Sequence, residues 1–263
     1  MLEIAVIYVL VGTAAGTIAG LLGIGGGFII VPALLFVFHN QGFAPDLAAH
    51  MAIGTSLATI VPTSLSSLLA HHRRGAVQWP VFRLLAPGII LGALAGSMVA
   101  GMLHGRVLHA VFGLFASIAA VQLILNRPPA PHRQLPHRLG MIGAGSFIGA
   151  VSGITGIGGG SLTVPFLLWC NVGVRQAVAT SAACGFPIAV SGTLGFVASG
   201  WHDSGLPAWS TGSVYWPAVL VIAAASVTFA QLGARLAHRL PVKLLKRIFA
   251  GFLVFMSIKL LAG

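Results

Sequence analysis

Charge is what this sequence has least of. Only three of its 263 residues are acidic, Glu3, Asp46 and Asp203, and charged residues of both signs make up 6%, against roughly 25% in a soluble domain. That scarcity excludes an ordinary water-facing fold. The three carboxylates lie near the ends of apolar runs or in connections. No catalytic carboxylate pair or Ser-His-Asp set is apparent, and no carboxylate stands in mid-membrane, where a cation or proton transporter usually keeps one. Cysteine is equally sparse. Cys170 and Cys184 sit in apolar surroundings without metal-ligand spacing, so buried thiols are expected and no metal site. Also missing are the alternating ten-residue segments of an outer-membrane barrel and the basic start of a cleavable signal, since Glu3 precedes a long apolar run with no Lys or Arg before it. Gly23, Gly25 and Gly26 do not fit the Gly-x-Gly-x-x-Gly spacing, no acidic residue follows about 20 positions on, and no P-loop Lys is present, so no nucleotide cofactor is expected. Enzyme chemistry finds no foothold.

Hydrophobic residues are what is there, at 57%, with a mean hydropathy of +0.99. Runs without Lys, Arg, Asp or Glu cover 4–45, 47–72, 84–105, 107–126, 139–174, 176–202, 204–234 and 248–258. Most can hold the ~20 residues that cross a bilayer as helix. The reading is an all-α, multi-pass membrane protein. A formal net charge of +11 would suit nucleic acid as a partner, but the basic residues cluster between apolar spans, where they act as topology signals. Arg73, Arg74 and Arg83 flank one connection, Arg127, Arg133 and Arg138 a Pro- and His-rich linker over 126–138, and Arg235, Arg239, Lys243, Lys246 and Arg247 crowd a third. All three connections are expected to be cytoplasmic, whereas 200–213, without Lys or Arg, is expected outside.

The chain also repeats itself. Gly23-Ile24-Gly25-Gly26-Gly27, running into Val31-Pro32, returns 133 positions later as Gly156-Ile157-Gly158-Gly159-Gly160, running into Val164-Pro165. Gly12, Gly16 and Gly20 fall on Gly145, Gly149 and Gly153 in the same register. Ala52-Ile53-Gly54-Thr55-Ser56 falls on Ala177-Val178-Ala179-Thr180-Ser181, and later Gly96 on Gly233 and Phe112 on Phe249. This divides the chain into repeats 1–125 and 139–263. The charge pattern puts the connection after Ser67 inside and its equivalent after Thr193 outside, so the halves are inverted. Inversion requires an odd number of crossings per half, and five segments fit, near 4–22, 28–38, 48–70, 80–103 and 106–125. The second is short, so the first pair is expected to form a re-entrant or partly unwound hairpin bent at the glycines. Inverted repeats with broken helices place their site where the repeats meet near the midplane.

Each glycine in a helix interior costs about 1 kcal/mol relative to Ala, so two dense runs are deliberate breaks. They suit either close packing or the exposure of amide N–H groups beside a helix N-terminus, where an anion can sit. On that basis Gly25, Gly26, Gly27, Gly158, Gly159, Gly160 and Ser161 are candidate anion ligands. The hydroxyls of Thr55, Ser56, Thr180 and Ser181 join them as symmetry-paired positions on the next helix, although such groups often just bond the carbonyl one turn back. His50 and Arg175 occupy equivalent positions at the start of that helix, as do Asp46 and Asn171. Either they are solvated interfacial groups, or Arg175 attracts the anion and His50 carries a proton. The spaced glycines at 12, 16, 20, 145, 149 and 153 read as packing faces. Gln231 reads as an interhelical hydrogen bond, and His71, His72, His132 and His137 as solvated. Trp79, Trp201, Trp209 and Trp216 read as headgroup-level anchors.

With its doubled glycine run ending in Val-Pro and the following A-x-(G/A)-T-S segment, the sequence resembles the sulfite exporter TauE/SafE family over its whole length. The resemblance implies a transporter of sulfur-containing or small organic anions, such as sulfite, sulfonates and sulfoacetate, across a bacterial inner membrane, coupled to an ion gradient. A passive anion channel of the same shape is the alternative, and whether the chain forms a homodimer stays open. The second copy departs from the first at Thr155, where the first has Leu22, and at Ala179, where it has Gly54.

Overall fold

A computed structural model describes residues 2–22, 26–125, 134–203, 205–236 and 242–262. Gly23, Ile24 and Gly25 lie outside the described residues, as do Arg127, His132, Arg133 and Arg239. So do the side chains of Gln231, Arg235, Lys243, Lys246 and Arg247. Five helices precede the linker: α1 Leu2–Leu22, α2 Gly27–Asn40, α3 Pro45–Arg73, α4 Trp79–Met102 and α5 Gly105–Leu125. Five follow it: α6 Arg138–Thr155, α7 Gly160–Trp169, α8 Val174–Ser199, α9 Trp216–Leu236 and α10 Val242–Ala262. Among the described residues, α1, α3, α4, α5 and α8 are long and apolar enough to cross a membrane.

Helices surrounded by lipid gain nothing from hydrophobic burial against each other, so they associate where small residues let backbones approach. The spaced glycines do this here. Gly145, Gly149 and Gly153 of α6 face the backbone of Leu85, Ile89 and Ala93 on α4, while Gly88, Gly92 and Gly96 of α4 face Ile142, Ser146 and Ala150 on α6. The two helices run parallel and each supplies the grooves for the other. A methyl group at Gly153 would lie 2.6 Å from the Ala93 carbonyl oxygen. On the opposite side Gly12 and Gly16 of α1 face Ile222 and Ser226 of α9 in the same manner. The first helix of each half therefore packs along the fourth helix of the other.

In addition α3 packs on α8 and α5 on α10. The start of α3 and the end of α8 line one cleft. At the opposite end Arg175 of α8 lies near His71 and Arg74, where α3 finishes. These two helices run antiparallel.

By a rise of 1.5 Å per residue, α2 spans about 21 Å and α7 about 15 Å, short of the ~30 Å hydrocarbon core. Both are half-helices, and each begins at a glycine run. Phe28, in the first turn of α2, is fully buried. It packs edge-on to Phe112 of α5 and Phe249 of α10, with centroids 6.3 and 6.2 Å away, and stacks on Phe115 at 5.7 Å. The two repeat-equivalent phenylalanines thus close on one ring.

One element departs from the helical reading. Between α8 and α9, strands β1 Ser210–Thr211 and β2 Val214–Tyr215 pair antiparallel, Ser210 opposite Tyr215, with Gly212 turning at φ +52°. Strands of two residues are too short to leave a periodic signature in sequence. Trp209 and Trp216 bracket this hairpin, the latter's indole N–H donating to Thr211 Oγ1 at 2.9 Å.

Candidate functional site

The bends at the heads of α2 and α7 touch. A methyl group at Gly27 would lie 2.5 Å from the Gly156 carbonyl oxygen and 2.8 Å from Ile157 Cα, both main-chain atoms. Only a residue without Cβ lets the two backbones meet there. Gly156 ends α6 in the left-handed region, at φ 71°, and its amide donates to the Ser152 carbonyl at 2.9 Å. Residues 156–160 are buried, as are Gly26 and Gly27.

Neither half-helix has a side-chain cap. Gly26 is the N-cap of α2 and Gly159 that of α7, and among the described residues no side chain caps the first-turn amides of either. A helix leaves its first amides without intrahelical acceptors, and buried amides need partners. Around the head of α7 the side chains repeat that message. The hydroxyls of Ser161 and Thr163, in its first turn, and of Ser152, one turn before the bend, are buried without a hydrogen-bond partner among the described residues, and so is that of Ser181 on α8. Thr163 and Ser152 are 0% and 1% exposed. Thr163 Oγ1 would be 3.2 Å from a methyl group placed on Gly159, so it stands directly at the bend. Unpartnered donors beside a positive helix end form a cradle for a small anion.

Three of the four paired hydroxyls of α3 and α8 have other engagements. Thr55 Oγ1 accepts the Tyr215 amide at 3.0 Å and Thr180 Oγ1 accepts the Gln78 amide at 3.0 Å. These bonds are symmetry mates: each threonine ties down the head of the other half's fourth helix. Ser56 donates to the Gly156 carbonyl at 2.9 Å, fixing the second bend from α3. Gly54 lets the Ser213 carbonyl approach, since a methyl there would lie 2.6 Å from that oxygen. Ala179, its equivalent, packs instead with Ala76 and Val77.

Arg175 and His50 stand apart from the bends, at opposite ends of the α3–α8 pair. Arg175 is exposed. His50 is half-buried in a cleft of about 560 Å³ that Asp46, Gly101, Ser199, Asp203 and Ser213 also line. The structure thus brings together Gly26, Gly27, Gly158, Gly159, Gly160, Ser161 and Ser56, and leaves His50 and Arg175 outside that group.

Comparison with known proteins places this arrangement in a family. The sulfite exporter TauE/SafE family matches residues 8–260. The chain belongs to that family. A probable membrane transporter protein of Haemophilus influenzae is 38% identical over 95% of this chain and 96% of its own length. One from Xylella fastidiosa is 30% identical over 94% and 91%, and the probable membrane transporter protein YunE of Bacillus subtilis 28% over 97% of each. This TauE/SafE chain is accordingly a multi-pass membrane transporter.

Sequence reasoning did not single out Thr163 or Ser152. The signal was in the repeat register: at the offset that aligns the glycines, Thr163 falls on Ile30, Ser152 on Ala19 and Ser161 on Phe28. Comparing the copies for differences, rather than identities, finds the polar side of the site.

Proposed function

We propose that this transporter moves small sulfur-containing or organic anions of the sulfite, sulfonate and sulfoacetate class by a secondary, ion-coupled mechanism, and that the two bends are where the anion is held. The amides at the heads of α2 and α7 supply N–H donors and Ser161 a hydroxyl, with Ser181 of α8 as a further hydroxyl in this reading, while Ser56 holds the second bend in place through the Gly156 carbonyl. Thr55 and Thr180 brace the helices around them. The repeats 1–125 and 139–263 are taken as inverted, which the antiparallel α3–α8 pair and the exchanged α1–α9 and α6–α4 contacts support. Arg175 attracts the anion at one entrance and His50 is the proton-carrying group at the other.

The observation that carries this reading is the set of buried, unpartnered hydroxyls around the uncapped head of α7. Leaving a buried donor unpaired costs about 1–3 kcal/mol, a cost an anion's oxygens would remove. The family's description as sulfite exporters supplies the substrate class.

The test is uptake into proteoliposomes of labelled sulfite, with sulfate, a sulfonate and a carboxylate as competitors, under imposed pH gradients. Saturable flux that follows the gradient and is blocked by sulfonate is expected. Equal competition by carboxylates would reject the substrate class. Flux that neither saturates nor responds to a gradient would make the protein a passive channel.

A further inference from the structure

His50 has both ring nitrogens against carbonyl oxygens. Nδ1 lies 2.6 Å from the Asp46 carbonyl on its own helix, and Nε2 lies 3.1 Å from the Ala100 carbonyl in the last turn of α4. Carbonyls only accept, so both contacts are hydrogen bonds only when the ring carries two protons. The end of α4 is also the negative end of its dipole, which favours a cation there. One turn earlier on α3, Asp46 Oδ1 accepts the Gly105 amide at 2.6 Å, capping the head of α5 from outside. The first turns of α3 are therefore fastened twice to the α4–α5 corner.

We infer that His50 is a proton-operated latch holding the start of α3 to the end of α4 at the mouth of the cleft shared with α8. With two protons the imidazolium donates to both carbonyls and the latch is shut. When the ring loses one proton to water in the cleft, one nitrogen turns a lone pair on a carbonyl and that contact gives way. The shorter bond within α3 is kept and the bond across to α4 is released. Asp46 on α3, His109 on α5 close to Asp46, and Asp203 on the connection after α8 are the other ionisable groups around the ring, with His104 and Arg106 on the corner itself. His109 carries a buried Nε2 without a hydrogen-bond partner among the described residues. At the opposite end of the α3–α8 pair the equivalent residues are Asn171 and Arg175, with His71 and His72 in the last turn of α3; the pairing of a histidine ring with two carbonyls is found at the His50 end.

The latch deepens the transport reading by giving the proton a place and a mechanical effect, and it is tested without measuring transport. Spin labels at Ala44 and Met102, both exposed, report the distance between the start of α3 and the end of α4 in the full-length protein in liposomes, with Cys170 and Cys184 changed to Ala. The short-distance population at pH 5 should fall by about half or more at pH 8, the range over which a histidine changes charge. In His50→Gln that response should vanish. In His50→Arg, whose guanidinium keeps several donors at every pH, the short distance should persist at pH 8, so the Arg variant decides the matter if the Gln variant does not fold. A pH-independent distance in the wild-type labels, or the same response surviving in His50→Arg, overturns the latch. A protein that shows the response but moves none of the tested anions keeps the latch and loses the substrate reading.

Discussion

At the first bend the helix that follows opens with Gly27, Phe28, Ile29 and Ile30; at the second it opens with Gly160, Ser161, Leu162 and Thr163. The backbones match in register and both helix heads lack a side-chain cap. Their side chains do opposite things. Phe28 and Ile30 are buried among apolar neighbours, whereas Ser161 and Thr163 keep hydroxyls buried and without a partner among the described residues. One bend is anchored by an aromatic cluster and the other is left polar. A duplicated chain can thus divide labour, using one copy to fix the geometry and the other to supply the chemistry.

The sharpest way to break that comparison is to stop the bends from meeting. Gly27→Val places a side chain against the Gly156 carbonyl and Ile157 Cα, main-chain atoms with nowhere to go. We expect loss of flux by about two orders of magnitude or more, since positioning errors near 1 Å already cost about a hundredfold. Gly159→Val should be milder. A methyl there first meets the Ile188 Cδ1 atom, 2.5 Å away, the flexible end of a side chain. Flux assays on the purified variants, alongside thermal melts, check the order. Equal loss in both would mean that the bends are constrained alike.

Next in size is the anchor. Phe28→Ala should lower stability by about 3–5 kcal/mol, the usual cost of emptying a buried aromatic site. Ser161→Ala should leave stability unchanged or slightly raised, because it removes a buried hydroxyl that has no partner. Melting temperatures in detergent distinguish the two, and a Ser161→Ala variant as unstable as Phe28→Ala would show that the hydroxyl is structural. Thr163→Val then isolates the chemistry. It keeps the shape and deletes one donor, so we expect sulfite KM to rise roughly tenfold, about 1.4 kcal/mol, with the melting temperature held. Unchanged KM would take Thr163 out of the site.

The fold was largely legible because its signals are periodic and repeated. Charge-free runs announced the helical class, the segments expected near 4–22, 28–38, 48–70, 80–103 and 106–125 end close to α1–α5, and the 133-residue register located both bends. The spaced glycines announced close packing, although not which helix they would meet, because exchange of first and fourth helices between halves is a tertiary choice that local sequence does not record. The bends were legible in position and less so in detail. Gly26 and Gly27 are indistinguishable as letters, yet a methyl at Gly26 meets nothing nearer than Ala15 Cβ at 3.2 Å, while Gly27 abuts backbone. Thr55 and Thr180 looked like ligands because they are paired. Their oxygens accept amides from Tyr215 and Gln78, partners 160 and 102 positions away in the chain.

The smallest expected effect concerns the entrances. Arg175 is exposed beside His71 and Arg74, so in the proposed reading it acts as part of a positive surface rather than as a ligand. A surface charge accelerates the arrival of an anion and is screened by salt, with a Debye length of about 10 Å at 0.1 M and about 3 Å at 1 M. Arg175→Gln should therefore raise KM by roughly two- to fivefold at low ionic strength, and the difference should disappear near 1 M salt. Thr163→Val, acting at the buried bend, should keep its full effect in the same salt series. If the Arg175 effect also survived high salt, the guanidinium would have to touch the bound anion, and the polar site would extend from the second bend to the start of α8.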